Sequence, residues 1–579
     1  MARLNDQVQA LLEEYADLLT IIGGDAFRAR AYEKSARAIG GWPTDLAAMD
    51  PKDILEIPGV GKSTVGKIDE VRRTGTLEAV EKLRAKIPPG VRAMMKVPGL
   101  GPKRALTLHQ DLGVSSVDEL RAAAEAGRLH DLPGFGGRTE ENILHGLAVL
   151  HAAAGRADLG TATSLAEEVT ATLRDVPGCL RCEWAGSLRR LRESVGDLDV
   201  LAAAHDSAPL TEAFVALPAV AEVIVSGPTK TSVRTAAGLQ IDLRVVAPEA
   251  WGAAMVYFTG SKAHNIKLRT RAVRAGLKLS EYGLFDNETG ATVASATEED
   301  VYAALGLAWI PPTLREDLGE VEAAAAGELP VLVTERGLRG DLHTHTDLTD
   351  GVASLEDMLA AAKARGYAYY AVTDHAPDLV MQRMTDEKML AQRARLRELA
   401  GGYGRMRLLH GTELNIGPNG SVDWPAEFLA GFDVCVASVH SHFGADRATQ
   451  TRRLIRACEN PHVHVIGHPS ARRVGRRAPI DVDWPAVFAA AARTGTALEI
   501  NGAPGRMDLN DEHVRAARSA GVRFSIDSDA HSTVQLANPR FGVGTAQRAW
   551  LGPDDVINTW PWQKLKRFLT KPDLPAGQA

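Results

Sequence analysis

The chain has 579 residues, far more than one hydrophobic core organises, and at roughly 150 residues per domain about three to five units are expected. A formal net charge of −7 excludes a uniformly basic nucleic-acid binder, so any affinity for phosphates must come from local patches or backbone amides. Four cysteines in so long a chain exclude a disulfide framework and point to a reducing compartment.

The opening run MARLNDQVQALLEEYADLL reads as an acidic amphipathic helix rather than a secretion signal. No apolar stretch reaches the ~18 residues of a membrane span, so a soluble cytoplasmic protein is expected. Apolar positions recur at helical spacing over residues 4–20 and 25–39. A phrase then occurs three times: IPGVGKS from Ile57, VPGLGPK from Val97 and LPGFGGR from Leu132. In each, proline fixes the entry and the glycine pairs Gly59 and Gly61, Gly99 and Gly101, Gly134 and Gly136 permit a tight turn between two helices. This helix-hairpin-helix pattern aims free amides at a DNA phosphate without reading bases. One copy is equally a structural turn; three favour DNA binding through the backbone.

A boundary is expected near Gly155, before the run GSLRRLRESVGDLDVL that starts at Gly186. GDLDVL has the alternation of a strand, so Asp197 and Asp199 share a face. Carboxylates held that close call for a divalent, oxygen-seeking cation such as Mg²⁺ or Mn²⁺. Asp242, inside the strand-like QIDLRVV, supplies a third. Three aspartates on neighbouring strands suit two-metal phosphoryl or nucleotidyl transfer. Gly186 and Ser187 open a helix whose amides can approach a phosphate, with Arg189 and Arg190 adding charge one turn later. Cys179 and Cys182 form a C-x-x-C without a second pair, which reads as packing before the strand.

These residues resemble the palm of family X DNA polymerases, the group containing polymerase beta. A second signature is similar to that family: Tyr257-Phe258-Thr259-Gly260-Ser261, then His264-Asn265 and Arg269. The resemblance implies that the Tyr257–Ser261 turn, with Tyr257, Phe258 and Gly260, lines the sugar of an incoming nucleotide, that Asn265 touches its base and that Arg269 reads the nascent pair. Val195 and Gln240 stand where polymerase beta has a serine and an arginine. The resemblance also implies units at 1–85 (5′-phosphate binding), 86–155 (fingers, with two hairpins), 156–248 (palm) and 249–318 (thumb). Residues 319–336 read as an extended tether between two independently packed units. Lys67 falls where polymerase beta places its lyase lysine, with Lys62 and Arg28 as neighbouring cations and Ser63 replacing a phosphate-binding lysine.

From residue 337 to 579, seven strand-like runs alternate with helices, which predicts a distorted (βα)7 barrel. Six of the runs end in His, Asp or Glu, where such barrels build their sites. His343, His345, Asp350, His375, Glu413, His440, His468, Asp529 and His531 offer a mixed imidazole and carboxylate set without thiolate, suited to two or three Mn²⁺ or Zn²⁺ ions. This region resembles the PHP domain, named for polymerases and histidinol phosphatase, and has residues at all nine ligand positions of that family. His410, His442, His462 and His464 fall outside them and are expected to be structural.

The whole reads as a multidomain protein: a helical hairpin region, an α+β nucleotidyltransferase palm with thumb, and a barrel. The function implied is a repair polymerase that fills gaps and carries a 3′-5′ exonuclease, with AP endonuclease and 3′-phosphatase as related activities. Gapped or primer-template DNA and deoxynucleoside triphosphates are its expected partners, and a monomer in the cytoplasm, associated with the nucleoid, its expected state. The alternatives are a DNA-binding scaffold with a slow palm and a nucleotidyltransferase acting on another hydroxyl.

Overall fold

The computed structural model describes residues 4–571 except 98, 99, 131, 133, 134, 136, 154 and 380–383. Gly99, Gly134 and Gly136, three of the six hairpin glycines, lie outside the described residues. The N-terminal region is helical throughout. Helices Leu4–Ile21 and Ala26–Gly40 form an antiparallel pair, and a single buried cluster runs from Val8 to Leu147. Residues 1–85 and 86–155 therefore share one core. Buried Asn5 ties its entry together, donating to the carbonyls of Ile39, Trp42 and Thr44 and accepting from Leu46 N. In the first hairpin Gly59 sits at φ +78°, a conformation that side chains rarely adopt. Gly61 caps helix Lys62–Thr74, and Gly101 caps helix Pro102–Leu112, each with no side-chain bond to the cap. The first amides of both helices are thus left without a capping side chain.

The palm is a five-stranded sheet in the spatial order Arg181–Trp184, Asp197–Ala203, Gln240–Val246, Lys230–Thr235, Val220–Ser226. The central pair, Asp197–Ala203 with Gln240–Val246, is parallel, and every other pairing is antiparallel. Leu198, Val200, Ile241 and Leu243 pack under helix Leu159–Arg174. Cys182 is buried there and Cys179 half-buried, both as free thiols; burial pushes the Cys182 thiol up to about 12. The thumb combines helices Trp251–Thr259, Lys262–Arg274 and Glu298–Ala304 with a three-stranded antiparallel sheet, Leu277–Ser280, Gly283–Asp286 and Thr292–Ala294.

The expected tether is not extended. Residues Glu320–Ala326 form a helix packed on the thumb. Glu320 is fully buried, bonded to His264 Nδ1 at 2.6 Å and to the amides of Asp317 and Leu318. An apolar face of Val321 and Ala324 plus that buried pair outweighs the flexibility suggested by the flanking glycines. Nor are the two halves independently packed. Ion pairs Arg472–Glu193 (2.6 Å), Arg548–Glu316 (2.8 Å) and Arg540–Glu167 (3.1 Å) join the barrel to the palm and thumb.

The C-terminal barrel has seven parallel strands in sequential order: Gly340–Asp341, Tyr369–Val372, Arg407–Asn415, Val434–Ser438, Val465–Gly467, Ala497–Asn501 and Phe524–Asp527. A parallel bridge between Thr344 and Ala530 brings the first and last together. Nearly all strand residues are buried, polar ones included, as in strands covered on both faces. No helix among the described residues is long and apolar enough to cross a membrane.

Candidate active sites

The palm register sets Asp199 directly beside Asp242 and Asp197 beside Gln240. Asp197 begins its strand and is exposed, Asp242 is buried, and Asp199 lies between. Gly186, on the short helix Gly186–Arg189 with half-buried Ser187, has φ +61°. A Cβ there would lie 2.3 Å from Asp199 Oδ2, so the glycine makes room for the carboxylate. Burial first, then the charges of Asp197 and Asp242, push the Asp199 carboxyl up to about 7. Two like-charged neighbours that raise a carboxyl this far make a place suited to a divalent cation.

Asp242 behaves differently. Burial raises it, but Lys230 Nζ at 2.8 Å, Ser232 and Gln240 Nε2 at 2.8 Å hold it below the ordinary range. Lys230 was not singled out from the sequence, although its strand pairs with that of Asp242, Ser232 lying opposite. Arg189 and Arg190, expected to face a phosphate, are engaged internally. Arg189 makes a bidentate pair with Glu298 (2.8 and 2.9 Å). Arg190 donates to Glu316 (2.9 Å) and to Thr259 O (2.8 Å). Their acidic partners lie more than a hundred residues downstream, beyond the reach of a local motif.

The Tyr257–Ser261 segment is a turn only in its second part: Tyr257, Phe258 and Thr259 close the buried helix Trp251–Thr259, and Gly260 and Ser261 join it to helix Lys262–Arg274. Tyr257 and Phe258 are half-buried, with ring centroids 5.0 Å apart, and Arg244 covers the Phe258 ring at 5.1 Å. Asn265 Nδ2 donates to Tyr257 O (2.6 Å) and Gly260 O (3.3 Å). A Cβ on Gly260 would meet Asn265 Oδ1 at 2.4 Å. Arg269 is exposed one turn further. His264 is buried, between Glu320 and Tyr302.

In the barrel the nine expected donors converge. Glu413 lies at their centre: its Oε1 is 3.0 Å from His468 Nε2, 3.1 Å from His440 Nε2 and 3.4 Å from His343 Nε2. Its Oε2 is 2.9 Å from His375 Nδ1 and 3.5 Å from His345 Nε2. Asp529 Oδ1 is 3.3 Å from His345 Nε2, and Asp350 Oδ1 is 3.3 Å from both His375 Nε2 and His531 Nε2. Four overlapping groups keep their donor atoms within 4.8 Å of one another: His345-Asp350-His375-His531, His343-Glu413-His468, His343-His345-Asp529 and His375-Glu413-His440. His343 Nε2, both ring nitrogens of His345 and of His468, and Asp350 Oδ1 are buried without a hydrogen bond. Orphaned donors in such number are costly unless a metal takes their lone pairs. Burial opposes the charge on Glu413, but His440, His343 and His375 hold its carboxyl well below the usual range.

Outer contacts orient this set. His343 Nδ1 bonds Glu499 at 2.7 Å, His440 Nδ1 bonds Asn415 Oδ1 at 2.7 Å, and Arg506 Nε lies 3.0 Å from Asp529 Oδ2. Glu499 also accepts from His468 N. The ALEIN strand that carries Glu499 was legible; its carboxylate gave no separate signal. His410 stacks on Phe432 and accepts from Arg393, and His464 accepts from Cys435 N, so both are structural.

Comparison with known proteins adds four family matches: a helix-hairpin-helix domain over residues 3–77, a SAM-like helix-hairpin-helix tandem over 91–148, the DNA polymerase beta thumb over 254–316 and the PHP domain over 341–469. The chain is similar to the "DNA polymerase/3'-5' exonuclease PolX" of Bacillus subtilis (strain 168), 35% identical over 567 residues, covering 97% of this chain and 99% of the relative. It is also similar to a "Probable phosphatase" of Shewanella sediminis (strain HAW-EB3), 31% identical over 242 residues, 40% of this chain and 93% of that protein. The "Probable phosphatase YcdX" of Escherichia coli (strain K12 / DH10B) is 29% identical over 239 residues, 40% of this chain and 93% of the relative.

Proposed function

The chain belongs to the PolX family, DNA polymerases of family X that carry a PHP domain, and on that premise we propose that it fills short gaps in DNA from the palm and degrades 3′ ends from the barrel. The observation that carries the polymerase half is the parallel register that sets Asp199 against Asp242 with Asp197 on the same strand. Mg²⁺ or Mn²⁺ held by these three aspartates would lower the pKa of a primer hydroxyl and steady the leaving pyrophosphate. The amides beside Gly186 and Ser187 receive the triphosphate, with Arg190 held close by Glu316 and released only if that pair opens. Tyr257, Phe258 and Gly260 line the sugar, Asn265 fixes the turn, and exposed Arg269 reaches the nascent pair. Lys230 keeps Asp242 ionised. Gly59, Gly61 and Gly101, with the hairpin glycines outside the described residues, aim amides at the duplex backbone.

For the barrel, two or three Mn²⁺ or Zn²⁺ ions held by the nine donors would supply a hydroxide and neutralise charge on the phosphate. Arg506 and Glu499 keep Asp529 and His343 in place. The similarity to probable phosphatases favours a second reading of the same site, removal of a 3′-phosphate. Lys67 is proposed as a 5′-phosphate contact. The division at residues 85, 155, 248, 318 and 336 belongs to this reading, with Glu320–Ala326 assigned to the thumb. DNA and deoxynucleoside triphosphates are the partners, and the protein acts as a cytoplasmic, nucleoid-associated monomer.

One experiment tests both halves: extension and degradation of a single labelled gapped duplex with Mg²⁺ or Mn²⁺. Extension without degradation removes the exonuclease reading, and binding without either leaves a scaffold.

A further inference from the structure

Between the barrel and the palm lies a cleft of about 400 Å³. One wall is the barrel loop that follows ligand His468, carrying Arg472, Arg473, Arg476 and Arg477; the other is the palm edge at Arg156 and Ser194. The lining itself carries five arginines and two acids, with Asp17, Asp529 and Asp508 outside it acting on Arg476, Arg473 and Arg477. Of the two acids on the lining, Glu193 is taken by Arg472 at 2.6 Å. Asp158 caps helix Leu159–Arg174, accepting from Thr161 N and Oγ1 at 3.0 and 2.7 Å. Arg473 and Arg476 are exposed, and neither forms an ion pair with a described carboxylate. Arg477 is held down to about 10 by burial and then by the charges of Arg506 and Arg473. In a chain of net charge −7, a group of guanidinium ions that repel one another marks a place for an anion.

The loop is fixed in shape. Arg473 and Arg477 exchange backbone hydrogen bonds, Val474 N donates to Gly505 O (2.9 Å), and Arg477 Nε donates to Ala471 O (2.7 Å) while its guanidinium lies 3.9 Å from the Phe443 ring centroid. The two walls are each close in the chain to a candidate metal site. Arg156 bonds Ser194 Oγ and O at 3.0 and 2.6 Å, and the palm carboxylate Asp197 follows Ser194 after Val195 and Gly196. On the other wall the loop is anchored beside Arg506, which lies 3.0 Å from ligand Asp529. A volume of this size cannot take a duplex, whose major groove alone is ~12 Å wide.

We propose that this cleft is a track for the phosphate backbone of single-stranded DNA, leading a frayed 3′ end from the palm aspartates to the barrel's metal cluster. Arg473 and Arg476 are the phosphate contacts, and Arg477 and Arg156 line the path. The track rests on the exonuclease reading for its purpose, but its binding chemistry is independent of it.

The test uses the full chain and the double variant Arg473→Ala/Arg476→Ala, with Arg473→Lys/Arg476→Lys as the charge-preserving control. Binding is read by fluorescence anisotropy on a single-stranded oligonucleotide with phosphorothioate 3′ linkages, across a salt series. Each phosphate contact contributes a slope of about 0.7 in log affinity against log salt on single strands, so losing two should flatten it by about 1.4. Affinity should fall about tenfold at low salt, blunt-duplex affinity should hold, and the lysine variant should recover most of the slope. With Mn²⁺, the KM for a mismatched 3′ end should rise while hydrolysis of bis(p-nitrophenyl) phosphate is unchanged. An unaltered salt slope in the alanine variant overturns the track. If the wild type hydrolyses neither substrate, the exonuclease reading falls and the salt slope still decides the track.

Discussion

The two candidate metal sites are built on opposite plans. In the palm, three carboxylates lie on one parallel strand pair, Asp197 exposed and Asp199 shared between solvent and core, and Lys230 is the cation that bonds one of them, Asp242. In the barrel, donors from across the parallel sheet and the loops that follow its strands close on a buried Glu413, and Glu499 and Asn415 hold the imidazole rings from behind. The first is an open shelf that a nucleotide and its metal must complete. The second is a closed socket whose geometry exists before substrate arrives, at the cost of burying groups that are unsatisfied without ions.

The strongest way to break this comparison is to remove one centre at a time. Asp199→Ala should lower primer extension by about 10³-fold, the scale on which electrostatic groups at a reacting centre act, while degradation of a 3′ end continues. His343→Ala should do the reverse. Extension and degradation rates on the same gapped duplex check both. A parallel loss in both variants would mean that the sites work as one. A subtler perturbation separates socket from shelf. Glu499→Gln leaves all nine donors but weakens the bond that orients His343, and should cost about 10- to 100-fold in metal affinity or hydrolysis. Palm activity should be unchanged, and metal content after dialysis provides the measurement.

How legible each site was follows from the same difference. Asp197, Asp199 and Asp242 could be read because strand periodicity puts alternate residues on one face, and the nine barrel donors because six strand runs end in His, Asp or Glu. Both signals are local. Glu298, Glu316 and Glu499 were missed because each acts on a residue far away in sequence, and Lys230 because its contact with Asp242 depends on the pairing of two strands; nothing around them marks the partner. The segment after Asp317 looked like a tether for the related reason that its alanines and glycines say nothing of His264, whose ring captures Glu320. The barrel's contacts with the palm and thumb, carried by Arg472, Arg540 and Arg548, were equally invisible.

The open shelf makes a further prediction about protons. Asp199 titrates near 7 in the absence of a cation, raised by burial, Asp197 and Asp242. A divalent ion needs the ionised form, so binding in the palm must expel a proton below that pH. Mg²⁺ binding should release close to one proton at pH 6 and almost none at pH 9, with affinity falling about tenfold per pH unit below the midpoint. Calorimetry in buffers of differing ionisation enthalpy measures it, with His343→Ala used to remove the barrel's contribution. Asp199→Asn should abolish the proton release, and a release that survives this change would assign the titration to another group.

The smallest effect is expected at Lys67, where the N-terminal region offers neither a shelf nor a socket. Its Nζ lies 5.1 Å from the Tyr15 ring centroid and 5.6 Å from that of Tyr32. Arg28 Nη2 is 3.2 Å from the Tyr15 hydroxyl, and Tyr32 and Ser63 hydroxyls are 3.2 Å apart. Two aromatic faces hold the cation in place without neutralising it, as a carboxylate would, which leaves Lys67 and Arg28 able to attract a phosphate. On this arrangement Lys67→Ala should weaken binding to gapped DNA carrying a 5′-phosphate about fivefold, worth roughly 1 kcal/mol. Binding to the same duplex ending in a 5′-hydroxyl should not change, and anisotropy on the pair of substrates tests this. Borohydride trapping on a 5′-deoxyribose phosphate then separates contact from chemistry. A trapped adduct in the wild type that disappears in Lys67→Ala makes this amine a nucleophile. Equal trapping in both proteins, or none in either, leaves it a phosphate contact, and equal affinities for the two duplex ends would remove even that.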